Sequence, residues 1–510
     1  MLVQVQVLFS VPQQRETIVL QHIHFGTSGY RGIIGKTFTI QHVDAIAFAI
    51  AKYLQTQSKP SVIIGYDTRI GNSPLCSDGS YTQALCNRLA YEGIAVTLCD
   101  TFTSTPALSW AIRTYNFSGG IMLTASHNPA QYNGIKFNGP DGAPAQIAVT
   151  ELLEAHANAC LADPQSDIPL VETELKRKDI TIPFLDHTIR LVSQTFALPL
   201  TDCSELPLVV DARFGTAAVV WKMLESTLNL KKLTLLNGFP DSNFGLISPN
   251  PTDHTEPITT AIAETNAVMG VAHDPDADRH VIFDEKGTLV RPETLCALFC
   301  DFLLSRGIKV TQLLTTLASS GIVRMVAERN HLTYQETSVG FKYFAPFLRE
   351  AQQSGNLTFA VESSGGFSMS NHTLEKCGFL PALLTLSIIK ATKEPLSSLV
   401  RKLKTSYATF YFLEDKIEFP FQQYPQIQQH LLSVENATLL SFFKTPIQSI
   451  SLSDGTKVTF DDNSWILLRG SGTEPVIRIY TESPVSENHS KKLQVLAKEF
   501  LDVILAPAIS

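Results

Sequence analysis

The chain has 510 residues, which is too long for one hydrophobic core and suggests roughly three or four domains. Apolar residues make up 44% and charged residues 17%, a balance typical of globular proteins that excludes a largely disordered chain. The formal net charge is −8 and no run of like charges exceeds a few residues, so nucleic acid is not an expected partner.

The cysteines and the N-terminus indicate a cytoplasmic location. The eight cysteines form no CxxC pair, and Cys296 and Cys300 are predicted to be buried thiols because they lie four apart in an apolar, helix-like stretch. The apolar N-terminus lacks a basic region and is interrupted by Gln, which favours a strand or an extension over a signal peptide. No run of about 18 apolar residues exists, so no membrane span is expected.

The first part of the chain alternates strands and helices. Ser61–Tyr66 is predicted to be a buried strand, followed by a helix at Thr82–Glu92 and a strand at Ile94–Cys99. A further strand, Gly120–Thr124, ends at a polar loop. This alternation predicts an α/β architecture with a largely parallel or mixed sheet.

The same plan recurs further along. It restarts with a strand at Leu206–Asp211 and a helix at Phe214–Leu224, and again at the strands Gln312–Leu317 and Leu357–Glu362. No strict sequence repeat accompanies this pattern. It nevertheless predicts about three similar α/β units.

The segment from about residue 405 has a different character. A terminal helix, Ser486–Val503, follows five predicted short strands: Tyr407–Leu413, Ser449–Leu452, Thr456–Phe460, Ser464–Arg469 and Val476–Thr481. These elements predict an antiparallel α+β unit. The segments 163–180 and 391–405 are predicted to be linkers.

The hexapeptide TASHNP, Thr124–Pro129, follows a predicted strand. Its turn exposes the Ser126 hydroxyl and can direct several backbone N–H groups at one point. A serine needs a base, a metal or an installed phosphate to act in group transfer. An ordinary turn is the alternative interpretation.

The segment DPDADR, Asp274–Arg279, places three carboxylates at alternate positions of one loop. Oxygen ligands of this kind suit a hard cation such as Mg²⁺. An EF-hand fits poorly, because Arg279 stands where the loop needs glycine and Val281–Phe283 reads as a strand. A solvated acidic turn is the alternative.

Three glycine-containing segments complete the set. One of them is RGSGTEP, Arg469–Pro475, which is followed by Arg478. Its hydroxyls, backbone amides and two forked arginine donors fit a phosphate dianion. The alternative interpretation is a hairpin loop with surface arginines. The second is VESSGG, Val361–Gly366, whose carboxylate and hydroxyl could bind sugar hydroxyls. The third is FGTSGYRG, Phe25–Gly32, whose glycines allow the backbone to come close to a ligand. Each of these two segments alone is also compatible with an ordinary loop.

Asp67 and Arg69 are predicted to form a structural ion pair that braces the region of this last segment. Together the segments describe a cleft with a serine carrier, a divalent cation, a sugar grip and a separate phosphate clamp. Such a cleft suits phosphoryl transfer, which needs positioning and charge neutralisation more than covalent help.

The chain resembles the α-D-phosphohexomutase superfamily, and within it phosphoglucomutase most. TASHNP followed by Tyr132–Lys136 resembles the phosphoserine loop, and DPDADR the metal loop. VESSGG resembles the sugar-binding loop, RGSGTEPVIR the phosphate-binding loop, and Ser338–Lys342 the segment whose lysine helps to bind substrate. The likeness covers nearly the whole chain and keeps the order of the segments.

The resemblance implies a set of site residues. Ser126 would carry the phosphate, with Mg²⁺ held by Asp274, Asp276, Asp278 and the Ser126 phosphate, and catalytic roles are implied for His127, Lys136 and Arg31. Whether Lys136 or His127 is the general base stays open. The implied substrate-binding residues are Arg279, Lys342, Glu362, Ser364, Arg469, Ser471, Gly472, Thr473 and Arg478.

The resemblance also implies the fold and the reaction. Three α/β domains with mixed sheets, at 1–190, 191–300 and 301–405, and an α+β domain at 406–510 would surround a central cleft. Glucose 1-phosphate and glucose 6-phosphate would be interconverted through a phosphoserine enzyme and a hexose 1,6-bisphosphate. The expected partner is a small sugar phosphate, and the expected assembly is a monomer or a weak homodimer.

The choice of sugar depends on two cues. Gly365-Gly366 ends the sugar loop as in glucose-type members, and His372–Gly378 resembles a stretch of those enzymes. The chain departs from the family at Val361, Ser363, Cys377 and Gly470. The alternatives are therefore a phosphomannomutase, another phosphohexomutase acting on glucosamine or pentose phosphates, or a catalytically reduced phosphosugar-binding protein.

Overall fold

The computed structural model describes residues 22–26, 28–76, 79–163, 169, 175–198, 200–420, 423–471 and 475–509. Over these residues the chain forms four sheets with flanking helices, called here units I (22–198), II (200–290), III (291–407) and IV (408–509). The predicted N-terminal strand or extension lies outside the described residues. The domain divisions expected after residues 190, 300 and 405 stay predictions.

Unit I is built on a six-stranded mixed sheet of order β1-β5-β4-β2-β3-β6. The strands are β1 Tyr30–Ile33, β2 Ser61–Tyr66, β3 Ala95–Cys99, β4 Gly119–Leu123, β5 Tyr132–Asn138 and β6 Lys176–Lys178. The helices are α1 Ile40–Leu54, α2 Tyr81–Tyr91, α3 Thr105–Thr114, α4 Ile147–Ala162 and α5 Thr181–Thr195. Strands β2, β3, β4 and β6 are parallel, whereas β5 returns antiparallel to β4 and pairs with β1.

Unit II repeats this plan on a five-stranded sheet of order β11-β10-β9-β7-β8. Its elements are β7 Leu208–Asp211, α6 Ala217–Thr227, β8 Leu233–Leu236, α7 Glu256–Thr265, β9 Met269–His273, β10 His280–Asp284 and β11 Leu289–Val290. A parallel core of β8, β7 and β9 is extended by an antiparallel turn from β9 into β10.

Unit III has a four-stranded sheet of order β13-β12-β14-β15. Its elements are α8 Pro292–Ser305, β12 Gln312–Thr316, α9 Ile322–Arg329, β13 Thr333–Thr337, α10 Ala345–Ser354, β14 Thr358–Val361, β15 Phe367–Met369, α11 Phe379–Thr392 and α12 Leu396–Ser406. Here too the parallel strands end in one antiparallel return, from β14 into β15.

Unit IV is antiparallel throughout, with strand order β16-β20-β19-β18-β17. Its elements are β16 Tyr411–Glu418, α13 Tyr424–Leu432, α14 Asn436–Phe442, β17 Ile447–Ser451, β18 Thr456–Phe460, β19 Trp465–Gly470, β20 Val476–Ser483 and α15 Glu487–Ile509. The predicted fold class, three α/β units followed by an antiparallel α+β unit, is therefore confirmed.

The prediction of a linker at 391–405 was wrong. Most of that segment forms helix α12, which buries Leu396, Leu399 and Leu403. This spacing places the three leucines on one face of a helix, where burial of their side chains stabilises it. In the other predicted linker, residues 176–178 form strand β6, and 164–168 and 170–174 lie outside the described residues.

A shared apolar core fixes the first three units against one another. One cluster of buried side chains runs from α3 and α5 through the sheet of unit II to α8 and α11 in unit III. The predicted buried thiols Cys296 and Cys300 lie in it, and burial raises the pKa of both. Unit IV has a core of its own and meets unit III through a smaller cluster that includes Leu317, Trp465 and Tyr480.

The parallel strands determine where polar loops collect. Strands β4, β9 and β14 end directly before the predicted phosphoserine, metal and sugar loops. Ligands of α/β sheets bind at the carboxyl ends of such strands. None of the helices in the described part of the chain has the length and apolar character needed to cross a membrane.

Candidate active site

Ser126 lies in a strained turn immediately after β4. Its φ is +51°, a left-handed conformation that costs a residue with a side chain about 1 kcal/mol or more. The Ser126 N–H donates to Thr124 Oγ1 at 2.8 Å, which helps to hold the turn. The hydroxyl is buried and donates to Asp274 Oδ2 at 2.6 Å, so the serine loop of unit I meets the acidic loop of unit II.

Arg69 fixes the backbone of the serine loop. Its Nε lies 3.3 Å from Asp67 Oδ2, and both side chains are fully buried, so the predicted pair exists. Sequence reasoning missed its larger role. The same guanidinium donates to four backbone carbonyls at 2.5 to 2.9 Å, those of Ser126, Asn128, Pro129 and Tyr132.

The three predicted metal ligands form a compact buried group. One carboxylate oxygen from each of Asp274, Asp276 and Asp278 lies within 4.8 Å of the others. Burial, and then the two neighbouring carboxylates, raises the pKa of Asp274 to about 8. Asp276 Oδ1 and Asp278 Oδ1 are buried and accept no hydrogen bond from the described residues. Arg279 Nε lies 3.8 Å from Asp278 Oδ1, too far for a hydrogen bond. Buried oxygens without a hydrogen bond are costly unless a cation is bound, and this donor set fits a hard divalent ion.

Lys136 provides the positive charge at the acidic group. Its Nζ lies 2.6 Å from Asp276 Oδ2 and 2.7 Å from Asp278 Oδ2. Burial lowers the pKa of Lys136, but the two carboxylates outweigh burial, and the net shift is upward. Thr105, also from unit I, donates from its hydroxyl to Asp276 Oδ2 and from its N–H to the Asp276 carbonyl.

His127 lies at the other side of the Ser126 hydroxyl. Its Nδ1 is 3.5 Å from Ser126 Oγ. Burial, followed by the charges of Arg279 and Arg31, lowers the pKa of His127 well below its ordinary value, so the imidazole is neutral near pH 7. Arg31 itself donates from Nη1 to Asn128 Oδ1 at 2.5 Å, and burial and Arg279 lower its pKa to about 10.

The predicted sugar loop faces the acidic loop. Glu362 is buried, and burial raises its pKa. The Gly365 carbonyl accepts a hydrogen bond from the His280 N–H at 3.1 Å, which joins the loop to the start of β10. Gly365 has φ +95°, and a Cβ there would lie 2.4 Å from the His280 carbonyl oxygen, so this approach requires glycine.

Lys376 is a cleft residue to which sequence reasoning assigns no role. Its Nζ lies 3.3 Å from Asp278 Oδ2 and 3.6 Å from Glu375 Oε1, and its side chain lines the cleft beside Glu362. The sequence does contain a signal for Lys376, because it lies in the stretch His372–Gly378, but that stretch was used only to predict which sugar is bound. Cys377, by contrast, is buried in the shared apolar core.

The predicted phosphate clamp forms the wall that unit IV contributes. Arg469 and Arg478 are direct partners across β19 and β20, so their side chains lie on one face of the sheet. Arg469 Nε donates to Asp454 Oδ2 at 2.9 Å, and Arg478 Nη1 donates to Glu414 Oε1 at 2.7 Å. Ser471 is at the cleft, whereas Gly472 and Thr473 lie outside the described residues.

A single cleft of about 500 Å³ brings the predicted segments together. All four units line it, with side chains that include Ser28, Arg31, His127, Arg279, Glu362, Ser363, Ser364, Lys376, Arg469, Ser471 and Arg478. Ser126 and the acidic group are buried and are not among the lining residues, but their chain neighbours His127 and Arg279 are. Lys342 is half-buried with its Nζ 5.5 Å from the Tyr343 ring centre, and its neighbours Gly340 and Phe341 line the cleft.

Four family models match the chain in the order expected. Domains I, II and III, each described as a phosphoglucomutase/phosphomannomutase alpha/beta/alpha domain, match residues 22–161, 185–287 and 291–407, and the C-terminal domain matches 426–499. A phosphoglucomutase of Staphylococcus aureus (strain N315) is 29% identical over 89% of this chain and 88% of its own length. A phosphoglucomutase/phosphomannomutase of Thermococcus kodakarensis is 28% identical over 92% of this chain and 97% of its own.

Solved structures share the fold. A putative phosphomannomutase from Thermus thermophilus superimposes with a TM-score of 0.75 at 24% identity, covering 95% of this chain and all of that one. The open form of the Paramecium phosphoglucomutase parafusin gives 0.74 at 22% identity, covering 96% of both chains. The chain is thus a phosphohexomutase, an isomerase, and it belongs to the phosphoglucomutase/phosphomannomutase family.

Proposed function

We propose that this enzyme interconverts glucose 1-phosphate and glucose 6-phosphate, with Ser126 as the phosphate carrier. The observation that carries the proposal is the 2.6 Å contact of Ser126 Oγ with Asp274 Oδ2, next to a cleft that Arg469 and Arg478 also line. One phosphate of a sugar bisphosphate would lie at Ser126 and the other at the two arginines. The Gly365-Gly366 ending and the names of the relatives support glucose as the sugar.

Asp274, Asp276 and Asp278 would hold Mg²⁺ next to the Ser126 phosphate. When bound there, the ion would neutralise charge on the phosphoryl group as it is transferred. The structural support for this assignment is that one buried oxygen each of Asp276 and Asp278 accepts no hydrogen bond from the described residues.

The protein's own residues would position the substrate and move the proton. In the forward half-reaction the bond from phosphorus to Ser126 Oγ breaks as a bond to the sugar hydroxyl oxygen forms, and neutral His127 takes the hydroxyl proton. Lys136, held protonated by the carboxylates of Asp276 and Asp278, adds positive charge to the acidic loop that contacts Ser126 Oγ. The hexose 1,6-bisphosphate then reorients in the cleft and returns its other phosphate to Ser126. The same proton moves from His127 to the sugar oxygen that this phosphate leaves.

A preference for mannose phosphates is the second candidate. The Thermococcus relative is named for both sugars, and Ser363, which departs from the glucose-type pattern, lines the cleft. Parallel measurements of kcat/KM for glucose 1-phosphate and mannose 1-phosphate decide between the two. A higher value for mannose 1-phosphate would reverse the assignment of the sugar and leave the reaction unchanged.

The role of Ser126 is tested with Ser126→Ala. We expect mass spectrometry to find one phosphate on Ser126 of the wild-type protein, which is lost on addition of sugar phosphate. Turnover with Mg²⁺ and a trace of glucose 1,6-bisphosphate should fall to background in Ser126→Ala. The matched control is Ser118→Ala, which changes a serine just before β4, at the opposite end of that strand. Turnover that survives in Ser126→Ala would refute the proposal.

A further inference from the structure

A tight turn in unit IV brings a carboxylate to the phosphate clamp. The turn Ser453–Gly455 connects β17 to β18 and lies against β19. Gly455 has φ +110°, and a Cβ there would lie 2.4 Å from the Leu468 carbonyl oxygen and 3.0 Å from Arg469 Cα. Because only glycine permits this approach, the Asp454-Gly455 pair is what places Asp454 beside Arg469.

One oxygen of Asp454 joins two walls of the cleft. Asp454 Oδ2 accepts a hydrogen bond from Arg469 Nε at 2.9 Å, within unit IV, and another from the Val339 N–H at 2.7 Å, in unit III. Val339 lines the cleft together with Gly340 and Phe341. Arg469 is therefore linked, through the carboxylate of Asp454, to the loop of unit III that contains Val339.

Other polar contacts between units III and IV lie further along the sheet. Lys457 Nζ contacts Glu336 Oε1 at 2.7 Å, and Glu482 of unit IV accepts from the Gly321 N–H of unit III at 2.7 Å. Within unit IV, Trp465 Nε1 donates to the same Glu482 carboxylate at 3.0 Å. Trp465 is four residues from Arg469 along β19, or about 13 Å. Lys457 is nearer, because it pairs with Leu467, two residues or about 7 Å from Arg469. These contacts join the same two units through residues other than Arg469, so they provide a comparison for the contact at Asp454.

A carboxylate beside a phosphate-binding arginine has two possible effects of opposite sign. It competes with the phosphate for the cation, in which case its removal strengthens binding. Alternatively it fixes a flexible side chain in advance, which reduces the conformational entropy lost on binding, and then its removal weakens binding. The second effect is favoured here because Asp454 engages Nε and a backbone N–H at once, which fixes both the plane of the guanidinium and its place relative to unit III.

We propose that Asp454 is a positioning residue that holds the Arg469 guanidinium in the orientation that meets the non-transferred phosphate of the substrate. The inference rests on the proposed function of this site as a sugar-phosphate mutase. Asp454 touches neither substrate nor reacting atoms in this scheme, and it acts through Arg469.

The test compares Asp454→Ala and Asp454→Asn with the control Glu336→Gln, which removes the charge from another contact between units III and IV. We expect Asp454→Ala to raise KM for glucose 1-phosphate about tenfold, the size of one lost charge-assisted hydrogen bond, with kcat changed less than about threefold. Asp454→Asn keeps an accepting oxygen and should lie between wild type and Asp454→Ala. Glu336→Gln should leave KM within about twofold.

A double-mutant cycle with Arg469→Met separates positioning from a general structural effect. If Asp454 acts through Arg469, Asp454→Ala raises KM less than about twofold in the Arg469→Met background. An unchanged or lower KM in Asp454→Ala, or the same tenfold effect without Arg469, overturns the proposal.

A titration with inorganic phosphate by calorimetry gives a readout that does not need turnover. Its dissociation constant should rise in Asp454→Ala in parallel with KM. A wild-type protein without hexose phosphate turnover would contradict the proposed function, whereas phosphate binding that is insensitive to Asp454 would contradict this inference alone.

Discussion

Replacing Lys136 with methionine removes the cation that lies between Asp276 and Asp278. Both carboxylates are buried, and Lys136 Nζ donates to them at 2.6 and 2.7 Å. Removal of one partner from a buried ion pair costs about 3–5 kcal/mol of unfolding free energy. Lys376 remains 3.3 Å from Asp278, and the Thr105 hydroxyl still donates to Asp276, so we expect the low end of that range, about 3 kcal/mol.

Mg²⁺ should reduce this loss. The ion would bring to the acidic group the positive charge that Lys136→Met has removed, and it would no longer be repelled by the lysine. We therefore expect Lys136→Met to bind Mg²⁺ more tightly than the wild-type protein. At 100 times its dissociation constant a ligand stabilises the folded state by about 2.7 kcal/mol, which is enough to detect the difference.

The measurement is urea unfolding followed by tryptophan fluorescence, in EDTA and in a Mg²⁺ series. Trp221 is a suitable probe because its Nε1 donates to His273 Nε2 at 2.9 Å, next to the acidic loop. The control is Lys232→Met, which breaks the exposed pair between Lys232 and Glu205 and should cost at most about 1 kcal/mol. A loss below about 1 kcal/mol for Lys136→Met in EDTA, or a loss that grows with Mg²⁺, would refute the reasoning.

Three other predictions concern pH, the serine loop and the sugar loop. The pKa of Asp274 is raised to about 8, and its carboxyl must lose a proton to bind metal, so the affinity for Mg²⁺ should rise with pH up to about 8. Because the folded state holds this proton more tightly than the unfolded state, the metal-free fold should become less stable from about pH 4 to 8. A calorimetric Mg²⁺ affinity that is flat with pH contradicts this prediction. Arg69→Met should cost about 3–5 kcal/mol in urea unfolding because it leaves the buried Asp67 carboxylate without a counter-charge. A loss below about 1 kcal/mol would show that the loop carbonyls find other donors and that the hydrogen bonds from Asn72 and Thr124 suffice for Asp67. Gly365→Ala should raise KM for the sugar phosphate, whereas Gly355→Ala, at φ +69° but in open space, should not; equal KM values would exclude the close approach as a requirement.

Local pattern was enough to predict the strands that end at the site loops. Runs of apolar and β-branched residues followed by small or polar ones locate β4 and β14, and their loops carry Ser126 and Glu362. The observed strands differ from the predicted ones by a residue or two at most in these places. Helix α12 was missed although Leu396, Leu399 and Leu403 show the helical spacing, because a short amphipathic helix resembles a polar linker in composition.

The sequence pattern did not predict which polar residues from distant parts of the chain contact one another. Lys136 and Asp276 are 140 positions apart, and Arg69 is 57 or more positions from the four carbonyls that it binds. Hydrophobic periodicity reports which face of an element is buried and says nothing about which polar groups meet. The residues of the site could therefore be proposed one segment at a time, but their pairing required the packed units.

The junction between Thr105, Lys136 and Asp276 has a consequence for synthesis of the protein. The acidic loop emerges from the ribosome 140 residues after Lys136, or roughly 7–28 s later at common elongation rates of about 5–20 residues per second. Unit I is complete at residue 198, 78 residues or roughly 4–16 s before Asp276 at the same rates, so it has time to fold before the three carboxylates exist as a group. A nascent chain stopped before unit II would present an unpaired lysine, and an excised unit II would carry the full acidic motif without its counter-charge. The acidic group thus gains the Lys136 counter-charge only when units I and II dock, and a fragment of either unit is a poor substitute for the whole.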